Sequence, residues 1–155
     1  MFKTIVWATD GSELADGALE SVLELAEIHG SRIVAAHANQ VFTGRAAGAP
    51  VYADEPEVEE RIAAQVSELR AAGHDVELKL RTGSEQVATL VERVADEVSA
   101  DLIVVGTHGR GAVAGAVLGS VAKGLCHASQ RPVLVVPPAT RVKGSGDKTR
   151  AAATV

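Results

Sequence analysis

The sequence predicts a single-domain α/β fold, a parallel sheet with helices on both faces, from three observations. Segments with strand character alternate strictly with segments of helical period. The first strand is a nearly continuous apolar run, the pattern of a parallel strand covered on both faces, and the stretch Leu102–Val105 is nearly pure in β-branched residues. The length, 155 residues, suits one domain with a sizeable core.

Lys3–Ala8 reads as the first strand. Glu13–His29 reads as a helix, with Leu14, Ala18, Val22 and Leu25 in one stripe and Ala15, Leu19 and Ala26 beside it. Gly30 fits its stop. Arg32–Ala38 is the second strand. Residues 39–56 show no period and carry Gly44, Gly48, Pro50 and Pro56; this length fits a binding loop and a surface insertion equally. Glu57–Ala72 is the second helix, burying Val58, Ile62, Val66 and Leu69 and ending at Gly73. Asp75–Arg81 alternates, with Val76, Leu78 and Leu80 on one face, as a strand at the edge of a sheet does. The third helix, Ser84–Val98, presents Val87, Leu90, Val91, Val94 and Val98. Ala100–Val105 is the fourth strand, a fourth helix follows Gly119, and Pro132–Val136 is the last strand.

This order requires right-handed crossovers and puts a binding crevice at the carboxyl ends of the strands, where strand order reverses. Thr9-Asp10 and Gly106-Thr107 both fall at such ends. The domain spans residues 1–138. Residues 139–155 carry Arg141, Lys143, Lys148 and Arg150 against Asp147 and read as a flexible basic tail.

Composition narrows the function. Aromatic residues are 3% of a chain that is 46% hydrophobic, so Val, Leu, Ile and Ala build the core and few rings are available for stacking. A net charge of -5 opposes a nucleic-acid surface, where Lys and Arg neutralise phosphates. No apolar run approaches the roughly 18 residues that span a bilayer. The first strand opens at the amino terminus with no leader pattern before it, so the cytoplasm is the expected compartment. The single cysteine, Cys126, excludes an internal disulfide and reads as buried filler in the fourth helix. No histidine falls in a metal-ligand spacing, and no metal site is expected.

Gly106, Gly109, Gly111, Gly115 and Gly119 crowd the turn after the fourth strand. Glycine permits close backbone approach. Gly119-Ser120 then opens a helix whose first amides lack internal partners, a setting that favours an anion such as phosphate. An idle flexible loop satisfies the same spacing. The segment is not a Walker A loop, since no Gly-Lys-Ser/Thr follows. Nor is it a Rossmann fingerprint, which belongs after the first strand. A side chain at Gly109 is expected to enter phosphate space.

Asp10 is placed to accept from an adenine amino group or a ribose hydroxyl. It also has capping-box spacing with Glu13, and Ser12 is a second cap candidate; ligand contact and capping both stand. Arg110 suits a forked contact with phosphate. His108 reads as loop polarity, and His37, inside the second strand, as a packed or locally bonded residue. A bound nucleotide would carry its own Mg²⁺. No Gly-x-Ser-x-Gly elbow occurs and no base is aimed at a γ-phosphate, so binding is better supported than turnover. Gly124 lies within the fourth helix, at a cost of about 1 kcal/mol relative to alanine, with no reason visible in the sequence.

At these residues the chain resembles the universal stress protein family, in its ATP-binding branch. The family pattern is Gly, two residues, Gly, nine residues, then Gly with Ser or Thr, matched here by Gly106, Gly109 and Gly119-Ser120. The flanks DLIVVGTHGRG and LGSVAKGLCHASQRPVLVVP, and the opening IVWATDGSELA, agree, so the resemblance covers residues 3–137. It implies a five-stranded parallel sheet of order 3-2-1-4-5, of the adenine nucleotide alpha hydrolase-like type. It further implies ATP as ligand. Ala8, Thr9 and Asp10 would meet the adenosine part, the backbone near Ala38 the adenine, and Gly106 and Gly109 the ribose and phosphates. Gly119, Ser120 and Val121 would hold the phosphate chain. A homodimer through the last strand, Val133–Val136, would cover an open apolar edge. The implied role is a sensor or regulator in stress response; a slow ATPase or adenylate-transfer enzyme and a nucleotide-independent dimeric scaffold are the alternatives. Relatives often carry Pro after the turn before the third helix; here Gly83-Ser84-Glu85 stands, with Ser84 expected to cap.

Overall fold

The computed structural model describes residues 1–42, 51–52, 56–109 and 118–138. The elements are β1 (Thr4–Ala8), α1 (Glu13–His29), β2 (Arg32–Phe42), β3 (Val51–Tyr52), α2 (Pro56–Ala71), β4 (Val76–Gly83), α3 (Val87–Glu97), β5 (Leu102–Gly106), α4 (Ser120–Ala128) and β6 (Val133–Val136). The parallel strands run β4-β2-β1-β5-β6. Numbered by themselves, these five have the order 3-2-1-4-5. β4 is an edge strand, as its alternation predicts.

Strand geometry divides the core in two, because successive side chains point to opposite faces. Val6, Ala8, Val34, Ala36, Ile103 and Val105 face α3 and α4. Ile5, Trp7, Ile33, Ala35, Leu102 and Val104 face α1 and α2. The central strands are buried on both sides, which is why they read as continuous apolar runs.

Asp101 ties the start of β1 to β5: its Oδ2 accepts from Lys3 N at 2.7 Å and Thr4 N at 2.9 Å. These amide bonds favour the ionised form and hold the carboxyl below its ordinary value.

Several details differ from the sequence expectation. β2 runs to Phe42 instead of Ala38, since Asn39 and Gln40 pair with Thr82 and Gly83 of β4. Val41 and Phe42 then pair antiparallel with β3. Backbone bonds, blind to side-chain polarity, extend the ladder into a segment that looks irregular. On α1 the buried residues are Ala15, Ala18, Val22 and Ala26, while Leu14 is 36% exposed. Small side chains face the sheet there, and Trp7 and Ile33 supply the bulk.

α3 begins at Val87, with Gln86 at its cap position making no side-chain cap bond. Ser84 therefore does not cap it; Gly83 is still paired in β4, so the chain has yet to turn. Cys126 is exposed, not buried. On α4 the inward residues are Ala122 and Leu125, and position 126 lies about 100° further around the helix. Arg110, residues 43–50 and 53–55, and the predicted tail lie outside the described residues.

Gly124 acquires a reason. A Cβ built on it would lie 2.7 Å from Ala88 Cβ on α3. The helix accepts a poor helix former because its neighbour occupies the space.

Candidate functional site

A cavity of about 420 Å³ opens at the carboxyl ends of β1, β2 and β5, within the size range of small-molecule sites. β1 contributes Ala8 and the turn residues Thr9 and Asp10, and β2 contributes Ala36, His37 and Ala38. Residues 105–109 come from β5 and its turn, residues 118–122 from the start of α4, and Val87 and Val91 from α3.

The β1–α1 turn is built by local bonds. Thr9 N donates to Ala36 O at 3.0 Å, and Thr9 Oγ1 accepts from Gly11 N at 3.1 Å. Gly11 has φ +69°, a conformation that favours glycine. Ser12 caps α1, its Oγ accepting from Ala15 N at 3.2 Å. Asp10 supports that cap: its Oδ1 accepts from Ser12 N at 3.0 Å and Ser12 Oγ at 2.6 Å. Asp10 thus orders the turn through Ser12 while lining the cavity, and the cap of α1 is Ser12, not Asp10 in the capping box its spacing with Glu13 suggested. His37 Nδ1 donates to the Thr9 carbonyl at 3.0 Å, which fixes the imidazole beneath the same turn.

The turn after β5 is shaped by close backbone contacts. Thr107 N donates to Val136 O at 2.9 Å, and Gly119 N donates to Thr107 O at 2.7 Å. A Cβ on Gly119 would sit 3.0 Å from that same carbonyl, and one on Gly106 would sit 3.2 Å from Leu14 O and from His108 O. A Cβ on Gly109 would overlap Asp10 Oδ2 and lie 3.0 Å from its Cγ. The missing side chain at Gly109 thus makes room for the Asp10 carboxylate.

The first helical bond of α4 runs from Lys123 N to Gly119 O at 2.9 Å. The amides of Ser120, Val121 and Ala122 precede that ladder, at the pole where a helix favours negative charge. Against this polar end stand the apolar side chains of Val87, Val91, Val105 and Leu118. The cavity can therefore take a ligand with a flat apolar part and an anionic end.

Of the residues singled out from sequence, Ala8, Thr9, Asp10, Ala38, Gly106, Gly109, Gly119, Ser120 and Val121 all line this one cavity. Arg110 lies outside the described residues. The sequence reading missed Val87 and Val91, whose helical spacing looked like ordinary core. It also took His108 for loop polarity, although it lines the cavity with Thr107. The hydroxyl of Thr107 is buried without a hydrogen-bond partner among the described residues. Position within the glycine pattern was the one available signal for these two.

Fold and site together define a small doubly wound α/β protein with a ligand-sized cavity at the switch point of its sheet. The profile of the Universal stress protein family matches residues 1–137, and the chain belongs to that family. It is 34% identical over 145 residues to a Thermus aquaticus universal stress protein, covering 88% of this chain and 99% of the relative. Among solved structures it is similar to a universal stress protein in complex with cAMP, at 26% identity and TM-score 0.64, covering 87% of this chain and 96% of the other. It is also similar to the Archaeoglobus fulgidus protein in complex with dAMP, at 25% identity and TM-score 0.62, covering 88% and 98%.

Proposed function

We propose that the cavity binds an adenine nucleotide, ATP with its own Mg²⁺, and that the protein acts as a regulator in stress response through its bound state. The observation that carries this is the convergence of three strand ends and the open start of α4 on one cavity. The cAMP and dAMP complexes of the two similar proteins support an adenine nucleotide as the ligand class.

In this reading Ala8, Thr9, Asp10 and Ala38 border the adenosine part. Gly106 and Gly109 let the backbone approach ribose and phosphate, with Arg110 adding charge. Gly119, Ser120 and Val121 present amides and a hydroxyl to the phosphates. The apolar wall from α3 takes a face of the base. No group among these residues is assigned as a catalytic base; the nucleotide is held, and its state is read by a partner.

The working unit is proposed to be a cytoplasmic homodimer joined through β6. Among the described residues β6 pairs only with β5, and its Leu134 is 38% exposed. Such an edge favours pairing with a second copy.

Isothermal titration with ATP and ADP tests the reading, together with the mass of any small molecule released when freshly purified protein is denatured. Saturable binding below millimolar concentration supports it. Folded protein that takes up neither nucleotide at millimolar concentration refutes it.

A further inference from the structure

We infer that the contact between Gly124 and Ala88 sets the width of the cavity, which makes Gly124 a positioning residue for the α4 amides although it does not line the cavity. The inference rests on the nucleotide reading above. A Cβ at position 124 would lie 2.7 Å from Ala88 Cβ, well inside ordinary contact. Ala88 is buried on α3, flanked by Val87 and, one turn on, by Val91, and both of these line the cavity. Gly124 follows Ser120 by four residues, so it lies one turn along the same side of α4. The two helices therefore meet one turn behind the place where they form opposite walls of the site.

An added methyl is relieved by a shift of one helix against the other, not by a side chain turning aside. α4 is held against the sheet by Ala122 and Leu125, and α3 by Leu90, Val94 and Ala95. A side chain at 124 pushes α4 outward as a unit and takes Ser120 with it. Amide–phosphate bonds form near 2.9 Å and fail beyond about 3.5 Å, so a displacement of a few tenths of an ångström is felt in the phosphate contacts. The adenosine end, bordered by β1 and β2, is not moved.

The test uses the full chain with three variants: Gly124→Ala, Ala88→Gly, and the double variant that transposes the methyl from one helix to the other. ATP and adenosine affinities are measured by titration, with denaturant unfolding as the control for folding. Gly124→Ala is expected to weaken ATP about tenfold, the loss of one charge-assisted bond, and adenosine much less. The double variant, which keeps the packed volume, is expected to recover ATP affinity to within about twofold of the wild type. Ala88→Gly alone, which removes the methyl on the facing helix, completes the cycle. Wild-type ATP affinity in folded Gly124→Ala overturns the inference, as does a folded double variant that binds ATP tenfold more weakly. If Gly124→Ala does not fold, the double variant decides. Absence of ATP binding by the wild type would instead overturn the nucleotide reading itself.

Discussion

Replacing Gly109 with alanine adds one methyl group, and the structure says where it goes. The new Cβ overlaps the Asp10 carboxylate. Gly109 is not among the positive-φ glycines, so the backbone conformation itself does not penalise alanine. Asp10 cannot simply swing aside, because Oδ1 is held by Ser12 N at 3.0 Å and Ser12 Oγ at 2.6 Å. A hydrogen bond to a charged group contributes roughly 1.5–3 kcal/mol. Giving up one of these, at the low end because Asp10 is partly exposed, costs about 1.5 kcal/mol. Reduced freedom of the unfolded chain returns roughly 0.4–1 kcal/mol, which leaves a net loss of about 1 kcal/mol in stability. If the displaced carboxylate also loses its place beside the ligand, ATP affinity falls about tenfold. The assay is a double-mutant cycle with Asp10→Ala, read by denaturant unfolding and by calorimetric titration. In the Asp10→Ala background the carboxylate is gone, so Gly109→Ala stabilises by roughly 0.4–1 kcal/mol there, and the coupling is about 1.5 kcal/mol. An equal cost in both backgrounds, or none in either, refutes the reasoning.

Ser12→Ala removes the cap of α1 and a donor to Asp10; unfolding experiments should show a loss of about 1 kcal/mol, with weaker ATP binding because the Asp10 turn loosens. Asp101→Asn tests the tie between β1 and β5. The folded carboxyl lies below its ordinary value, so its stabilisation is present above the unfolded pKa and is lost as pH falls through the folded one. The variant should be less stable than the wild type by about 1 kcal/mol at neutral pH, a low value for charged bonds because the group is partly exposed. That gap should begin to narrow near the ordinary carboxylate pKa of about 3.9 and close as pH falls through the lower folded value. A gap independent of pH in unfolding curves would contradict the assignment.

The architecture was legible because the sheet is parallel and covered: IVWA in β1 and LIVV in β5 are short, largely β-branched apolar runs, as strands buried on both faces are. The glycines after β5 and the Thr9-Asp10 turn were legible because both mark strand ends, and those ends meet wherever such a sheet reverses its order. What stayed hidden is tertiary. Asn39 and Gln40 join β2 through backbone bonds that no hydropathy pattern records. Val87 and Val91 serve core and cavity wall with the same side chains. Leu14 faces outward because the rotation of α1 is set by what the sheet presents there, Trp7 and Ile33, and Cys126 does so because α4 turns Ala122 and Leu125 to the opposite face of the sheet. The reason for Gly124 is a methyl group on another helix, and the direction of the Gly109 vacancy depends on where Asp10 is held.

The most direct test of the central claim is a titration of ATP into nitrogen-15-labelled protein, following each backbone amide by NMR. Saturable shifts are expected at Gly106, Gly109, Ser120, Val121 and Ala122, with the Asp10 turn following. A folded protein whose amides at Ser120–Ala122 remain unmoved at millimolar ATP would contradict that claim.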